Sequence, residues 1–327
     1  NSNKPFYDEI DSWTDTTFLD RLNVTIEGKI TNTALILLGK ASAAHFISPK
    51  VAQITWKLDT EEKAYEHFGM PLFLTVNSVL ERIRNIPYRF FPDNQLISVE
   101  VPKYDNKVIL EALNNCIAHQ DYTKAARINL IEFEDRLVFS NYGAFIPESV
   151  EKVVLEDAPE ENYRNPFLAR AMFNLKMVDT VGGGIKKMFN YQRVRFFPMP
   201  EYDISGGKVK MTLIGKVLDV NYAQRLAQDQ ELTLEEIIML DKVQKHKKLT
   251  PPEEKYLKKR HLIEGRKPNF FICKEISHKT GQKADYSKNK GMDKQYYLDF
   301  ILNAIKDHGN MSRADIDKLL WDKLPDI

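Results

Sequence analysis

Glu111, Asn115 and His119 recur at four-residue intervals in the segment KVILEALNNCIAH. On a helix that interval advances each residue by about 40°, so the three side chains form one stripe. A carboxylate on such a stripe can orient or deprotonate a water, and a carboxamide can offer its oxygen to a hard cation such as Mg²⁺. The same stripe on a solvated helix would do no chemistry. Two further segments carry chemistry-bearing types. LVFSNYG ends in Asn141-Tyr142-Gly143, and VGGGI sets Gly182, Gly183 and Gly184 ahead of a helical pattern. Glycines at a helix start let phosphate oxygens approach backbone N–H groups at the positive end of the helix dipole. A glycine triplet is equally at home in a plain loop, and no G-x-x-x-x-G-K-[ST] phosphate loop occurs anywhere in the chain.

These residues need elements to hold them. Ile109, Ala112, Leu113, Cys116 and Ile117 recur at three and four, which predicts a helix over 107–119 with Cys116 as a core thiol. Residues 30–40 predict a short apolar helix capped by Thr31, 51–58 a strand, and 72–86 a helix ending before Pro87. Alternation around Glu134-Asp135 predicts a hairpin, and a second is expected over 202–214, turned by Gly206-Gly207. Between the hairpins come a polar loop over 147–165, a helix over 166–175 and the helix opened by the glycines. The order implies an α/β sandwich, with helices on one face of a mixed or antiparallel sheet.

Composition bounds the rest. The chain has 327 residues, a formal charge of +1 and two cysteines far apart in sequence, Cys116 and Cys273. That excludes a uniformly basic coat protein, a disulfide framework and a multi-cysteine zinc site, and it points to a reducing, cytoplasmic setting. No apolar run approaches the roughly 20 residues of a spanning helix, so no membrane partner is expected. The charge is uneven, however: residues 242–290 hold 15 Lys and Arg against five acids. That window marks a separate module, and the polar stretch over 221–231 is the expected linker.

Taken together, EALNNCIAHQDY, DRLVFSNYGAF, YRNPFLAR, VGGGIKKM and ITNTALILLGK resemble a divergent branch of the Bergerat ATP-binding fold of the gyrase, histidine kinase and MutL superfamily. The branch is the C-terminal ATPase-like domain of RecG-related helicases and Schlafen AlbA-type transcriptional regulators, and the resemblance covers residues 25–215. It implies that Glu111 is the water-activating base, Asn115 the Mg²⁺ ligand and Asn141 the adenine contact. Gly143 with Gly182, Gly183 and Gly184 would cradle the phosphates of ATP. The implied chemistry is in-line attack of a Glu-polarised water on the γ-phosphate. There are departures. Asn141 stands where the superfamily has Asp, which implies altered base selectivity; Ala144-Phe145 replaces a Gly-rich continuation and crowds the cavity; Gln120 replaces a usual Arg. His119 and Arg164 could line the site, although a histidine at a helix end also suits terminal carbonyls and an arginine before Asn-Pro can cap a helix.

The basic window reads as helix (234–245), turn, helix (251–260) and an extended stretch (261–273), the layout of a winged helix. Lys255, Lys258, Lys259, Arg260, Arg266 and Lys267 are then the expected DNA contacts, with salt-sensitive affinity. The alternative is a solvated lysine-rich surface or a protein-docking module. Residues 293–320 resemble the opening of a second such module. The expected organisation is an N-terminal extension over 1–104 following an absent AlbA-like domain, a Bergerat-like domain over 105–222, and a winged-helix region over 223–327 whose second module is cut. The favoured function is an ATP-binding, DNA-associated regulator, with weak Mg²⁺-dependent hydrolysis as its enzymatic option. The rival is a non-enzymatic scaffold, a degenerate nucleotide fold serving as a homodimer or partner platform. Helicase activity is not expected, since no motor motif is present.

Overall fold

The structure is a computed structural model that describes residues 7–90, 99–147, 149–156, 163–178, 183–229 and 231–273. Gly182 and the expected second module over 293–320 lie outside the described residues. All the elements below fall within the first of two compact units, Asn1–Ile272.

The chain opens with α1 (Asp15–Arg21), a two-residue ribbon β1 (Thr25–Ile26) and β2 (Lys29–Ile30), and α2 (Asn32–Leu38). Thr31 caps α2 by accepting from Ala34 N, as its sequence suggests. Strands β3 (Ile54–Asp59) and β4 (Lys63–Phe68) precede α3 (Leu72–Arg82) and a ribbon of β5 (Pro87–Phe90) and β6 (Val99–Pro102). Next come α4 (Asn106–His119), the hairpin β7 (Ile128–Glu132) and β8 (Arg136–Tyr142), α5 (Val150–Leu155), α6 (Pro166–Asn174) and α7 (Gly184–Val194). The hairpin β9 (Glu201–Asp203) and β10 (Lys208–Ile214) completes the sheet. Helices α8 (Val220–Gln228), α9 (Leu234–Gln244) and α10 (Pro251–Lys259) lead to a last hairpin, β11 (Ile263–Arg266) and β12 (Asn269–Ile272).

Six strands form one mixed sheet in the order β4-β3-β7-β8-β10-β9. Only β3 and β7 run parallel, with Ile54 opposite Ile128; the other neighbours are antiparallel. The outer pair β3 and β4 therefore comes from the first hundred residues. Helices α3, α4, α6 and α7 join the sheet in one core that includes Trp56, Leu113, Ile117, Phe139 and Met188. One buried charge sits in it. Glu132 accepts from the Trp56 indole N–H at 2.9 Å and from Arg84 N at 3.2 Å, so its carboxylate is hydrogen-bonded where water cannot reach it. The expected α/β sandwich with a mixed sheet is what the chain forms.

Two expectations need correcting. Residues 221–231 are not a linker: α8 is capped by Asp219 and buries Tyr222 and Leu226 in a second core, with the Arg225 guanidinium sunk beside Asp229. The stretch over 147–165 is not all loop, because Ser149 caps α5 and Val154 enters that same second core. That core also takes Phe189 from α7, Leu240 from α9 and Leu257 from α10, so it draws on both sides of position 222.

Candidate nucleotide site and basic module

Helix α4 starts at Asp105, which accepts from Lys107 N at 2.8 Å. From residue 111 to 120 every position is buried except Glu111, Asn115 and His119, which are partly exposed. The polar stripe thus faces a cleft with both flanks sealed, which a freely solvated stripe would not. Asn115 Nδ2 donates to Glu111 Oε1 at 3.3 Å, and this bond fixes the carboxamide so that its oxygen remains for another partner. His119 ends the stripe with its ring stacked on Tyr163, centroids 6.0 Å apart. Burial, with the Arg164 cation nearby, holds the imidazole below its ordinary pKa. His119 is therefore neutral at pH 7 and brings no positive charge to the cleft. Cys116 is buried and its thiol is pushed up to about 12 by desolvation, which makes it inert core.

The end of β8 is tied to the end of α4 by carboxamides. Gln120 is wholly buried; its Oε1 accepts from Tyr142 N at 2.9 Å and its Nε2 donates to Ala126 O at 2.7 Å. Asn165 Nδ2 donates to Ala118 O and Gln120 O, both at 2.9 Å, and Asp121 N donates to Tyr142 O at 2.8 Å. Asn141 is buried in the same lattice, its Nδ2 donating to Tyr142 O at 3.1 Å and His119 O at 3.3 Å. With the amide nitrogen occupied by two carbonyls, only the oxygen of Asn141 is left as an acceptor. An aspartate at 141 would set a negative oxygen against both carbonyls, which gives a physical reason for Asn at this position. Gly143 follows at φ +122°, and a Cβ there would lie 2.6 Å from Arg164 Nε. Arg164 uses that space to donate from Nη2 to Ala144 O at 2.7 Å.

Helix α7 closes the third side. Gly183 is its N-cap and Gly184 its first residue. A Cβ on Gly184 would fall 1.8 Å from Glu111 Oε1, so the carboxylate lies directly against the start of α7. Asn141, Phe145, Met188, Tyr202 and Met211 line a cavity of about 70 Å³. Asn115, His119 and Ile185 line both this cavity and a wider cleft of about 1030 Å³, walled by Glu111, Tyr163, Phe167 and Gly184. The inner cavity is below the roughly 300 Å³ at which ligand sites begin. Phe145 contributes to that crowding, with its ring centroid 6.4 Å from that of Tyr202. The structure thus brings Glu111, Asn115, Asn141 and Gly184 around this cavity and cleft; Gly183 adjoins them as the cap of α7, whereas Gly143 lines neither and packs against Arg164. What the sequence hid is the bonding of Gln120 and Asn165, whose partners are main-chain groups set by the fold.

In the basic module α9 and α10 each start with a capping box, Thr233 with Glu236 and Thr250 with Glu253. Glu236 is 1% exposed and also accepts from Tyr256 Oη at 3.1 Å and Arg260 Nε at 2.8 Å. Lys258 pairs with Glu254 at 2.7 Å and lies over the Phe270 ring. All six expected DNA contacts are exposed; Arg260 and Lys258 are paired with acids of the module, whereas Lys255, Lys259, Arg266 and Lys267 have no ion pair among the described residues.

A family model described as "Putative ATP-dependent DNA helicase recG C-terminal" matches residues 125–213. That stretch holds Asn141, Gly143 and the glycine triplet but not α4. The match supports a RecG-related ATPase-like domain there. No curated protein matches the chain. Among solved structures, the DIP2311 protein from Corynebacterium diphtheriae is similar in fold, with a TM-score of 0.52 at 14% identity; the match covers 81% of this chain and 59% of that one. This chain therefore spans about three-fifths of that protein's length. No helix among the described residues is long and apolar enough to cross a membrane.

Proposed function

We propose that the chain binds ATP with Mg²⁺ between α4, β8 and α7, and that occupancy is passed to a winged-helix-like DNA-binding module, as in the RecG-related and Schlafen AlbA-type regulators it resembles. The observation that carries this reading is the contact of Glu111 with Gly184. A carboxylate and a carboxamide bonded to each other sit at a helix start where a methyl group has no room. The donor set fits the implied groups. Asn115 would hold Mg²⁺ through the oxygen its Nδ2 bond leaves free, and Gly183 and Gly184 would receive phosphate oxygens on main-chain N–H groups. Mg²⁺, when bound, supplies neutralisation of phosphate charge. Glu111 is the base that takes a proton from water at its carboxylate. Asn141 offers its one remaining acceptor to a base bearing an exocyclic amine.

Helix α7 is the connection to the module. It meets Glu111 at Gly184, buries Phe189 in the second core, and donates from Arg193 Nη2 to Leu232 O at 2.9 Å, next to the cap of α9. On this reading residues 105–222 hold the nucleotide site, on a sheet completed by β3 and β4, and 223–327 are the DNA-binding region. The small inner cavity favours the rival, a scaffold that keeps the fold without the ligand.

Calorimetric titration with ATP and a non-hydrolysable analogue, each with Mg²⁺, separates the two. Saturable binding is expected, weakened tenfold or more in Asn115→Ala and retained in Glu111→Ala with hydrolysis lost. Silence at millimolar nucleotide would leave the scaffold. In the same assay inosine triphosphate, which carries an oxo group where adenine has an amine, should bind about tenfold more weakly than ATP, the worth of one hydrogen bond of about 1.4 kcal/mol. Equal affinity would remove Asn141 from base recognition.

A further inference from the structure

The basic window carries ten Lys and Arg between positions 242 and 267. Ion pairs divide them. Lys242 is held by Glu253 at 2.9 Å, Lys245 by Asp241 at 2.6 Å and Lys247 by Glu201 at 2.8 Å. With Lys258 on Glu254 and Arg260 on Glu236, half of the cations have an acidic partner, although Lys247, Lys258 and Arg260 stay about half exposed. Lys248, Lys255, Lys259, Arg266 and Lys267 are exposed and have no ion pair among the described residues. Lys255 and Lys259 share one stripe of α10, one turn apart; Arg266 and Lys267 sit at the β11–β12 turn. Lys248 lies just before the α10 cap. The contact of Lys258 with Phe270 holds the hairpin beside α10, so helix and turn are neighbours.

Lysine can reach guanine, but as a flexible point charge that serves phosphates as well; firm reading of a base pair calls for a forked donor or acceptor, a free guanidinium or carboxamide, on the helix that enters the major groove. Helix α10, PPEEKYLKK, has none. Its first turn is Pro251-Pro252, without N–H donors, followed by Glu253 and Glu254, which are committed to the cap, Lys242 and Lys258. Tyr256 Oη donates to Glu236, and Arg260 is fixed by the same carboxylate. Arg266 and Asn269, the forked side chains of the module's exposed hairpin turn, are too few to define a site. We infer that the module grips double-stranded DNA by its phosphates alone, the described residues supplying these five cations, and that its binding is independent of base sequence. The inference rests on the DNA-binding reading above and adds its mode.

The test is fluorescence anisotropy of the full chain with several labelled duplexes of unrelated sequence, from 50 to 200 mM salt. Five phosphate contacts contribute about −4.5 to the slope of log K against log salt, a loss of at least about 500-fold across that range, with all duplexes within about threefold of one another. Lys255→Gln with Lys259→Gln should make the slope shallower by about 1.8, as should Arg266→Gln with Lys267→Gln. Lys247→Gln, a cation already paired with Glu201, should leave it unchanged. One duplex bound a hundredfold tighter than the rest would overturn the inference while leaving DNA binding in place. Absence of binding to every duplex at 50 mM salt would overturn both, and tighter binding to single strands than to duplex would overturn the assignment to double-stranded DNA.

Discussion

Gly184→Ala should leave the protein folded and abolish what the cleft does. The added methyl would stand 1.8 Å from Glu111 Oε1 and 2.7 Å from its Cδ, and nothing in the main chain lies that close. The atoms in the way are the far end of a flexible side chain, so the clash is relieved by a rotation of Glu111. Alanine also favours a helix over glycine by up to about 1 kcal/mol. These effects oppose each other, and a change of no more than about 1 kcal/mol in stability is expected. The site has no such reserve. Glu111 leaves the start of α7, and its bond to Asn115 is broken. Hydrolysis should fall by 10²–10⁴, the range over which a positioned base acts, and ATP affinity should fall with it. Thermal melting and nucleotide titration on the one variant give both numbers. The double variant Glu111→Ala with Gly184→Ala supplies the sharper check: with no carboxylate to displace, the second substitution should cost far less than it does alone. Normal ATP binding and turnover by Gly184→Ala would remove this contact from the site.

Why some of this was legible and some was not follows from where each bond goes. Helix α4 could be read because its apolar residues repeat at its own period, and the cap at Thr31 because it bonds three residues ahead. Helix α8 escaped because its buried set includes Arg225, whose charge makes NYAQRLAQ look solvated until Asp229 is seen beside it. The parallel pairing of β3 with β7 joins residues 74 apart in sequence, Ile54 with Ile128, and leaves no local trace. Gln120 is the clearest case. As a residue type it suggests only the loss of an arginine, whereas its oxygen and nitrogen each satisfy a main-chain group that the sequence does not identify. The charge of the basic window was visible in composition, but not that half of it is neutralised, since the acids responsible include Glu201 on a distant strand.

Glu236 shows how much one such hidden acid holds. Both its oxygens are used: Oε2 accepts from Thr233 N at 2.9 Å and Oε1 from Arg260 Nε and Tyr256 Oη, on a side chain almost without exposure. Glu236→Ala leaves Arg260 and Tyr256 without their acceptor and the first turn of α9 without half its capping box. Because Arg260 is itself about half exposed, the loss is that of a cap and a partly screened ion pair, about 1–2 kcal/mol, enough to loosen α9 against α10. The acid dependence has a definite sign. Burial raises the carboxyl, but the Thr233 N–H, Arg260 and Tyr256 outweigh it and hold the folded pKa below the ordinary value. A depressed folded pKa gives stability that is present above the unfolded value of about 4.3 and is lost as pH falls through the folded one. Amide exchange in residues 234–259 should therefore quicken below about pH 4 in the parent chain. In Glu236→Gln it should already be fast at pH 7 and change less with acid, after correction for the intrinsic rate. If the variant kept the parent's protection at pH 7, the network around Glu236 would not be what joins α9 to α10.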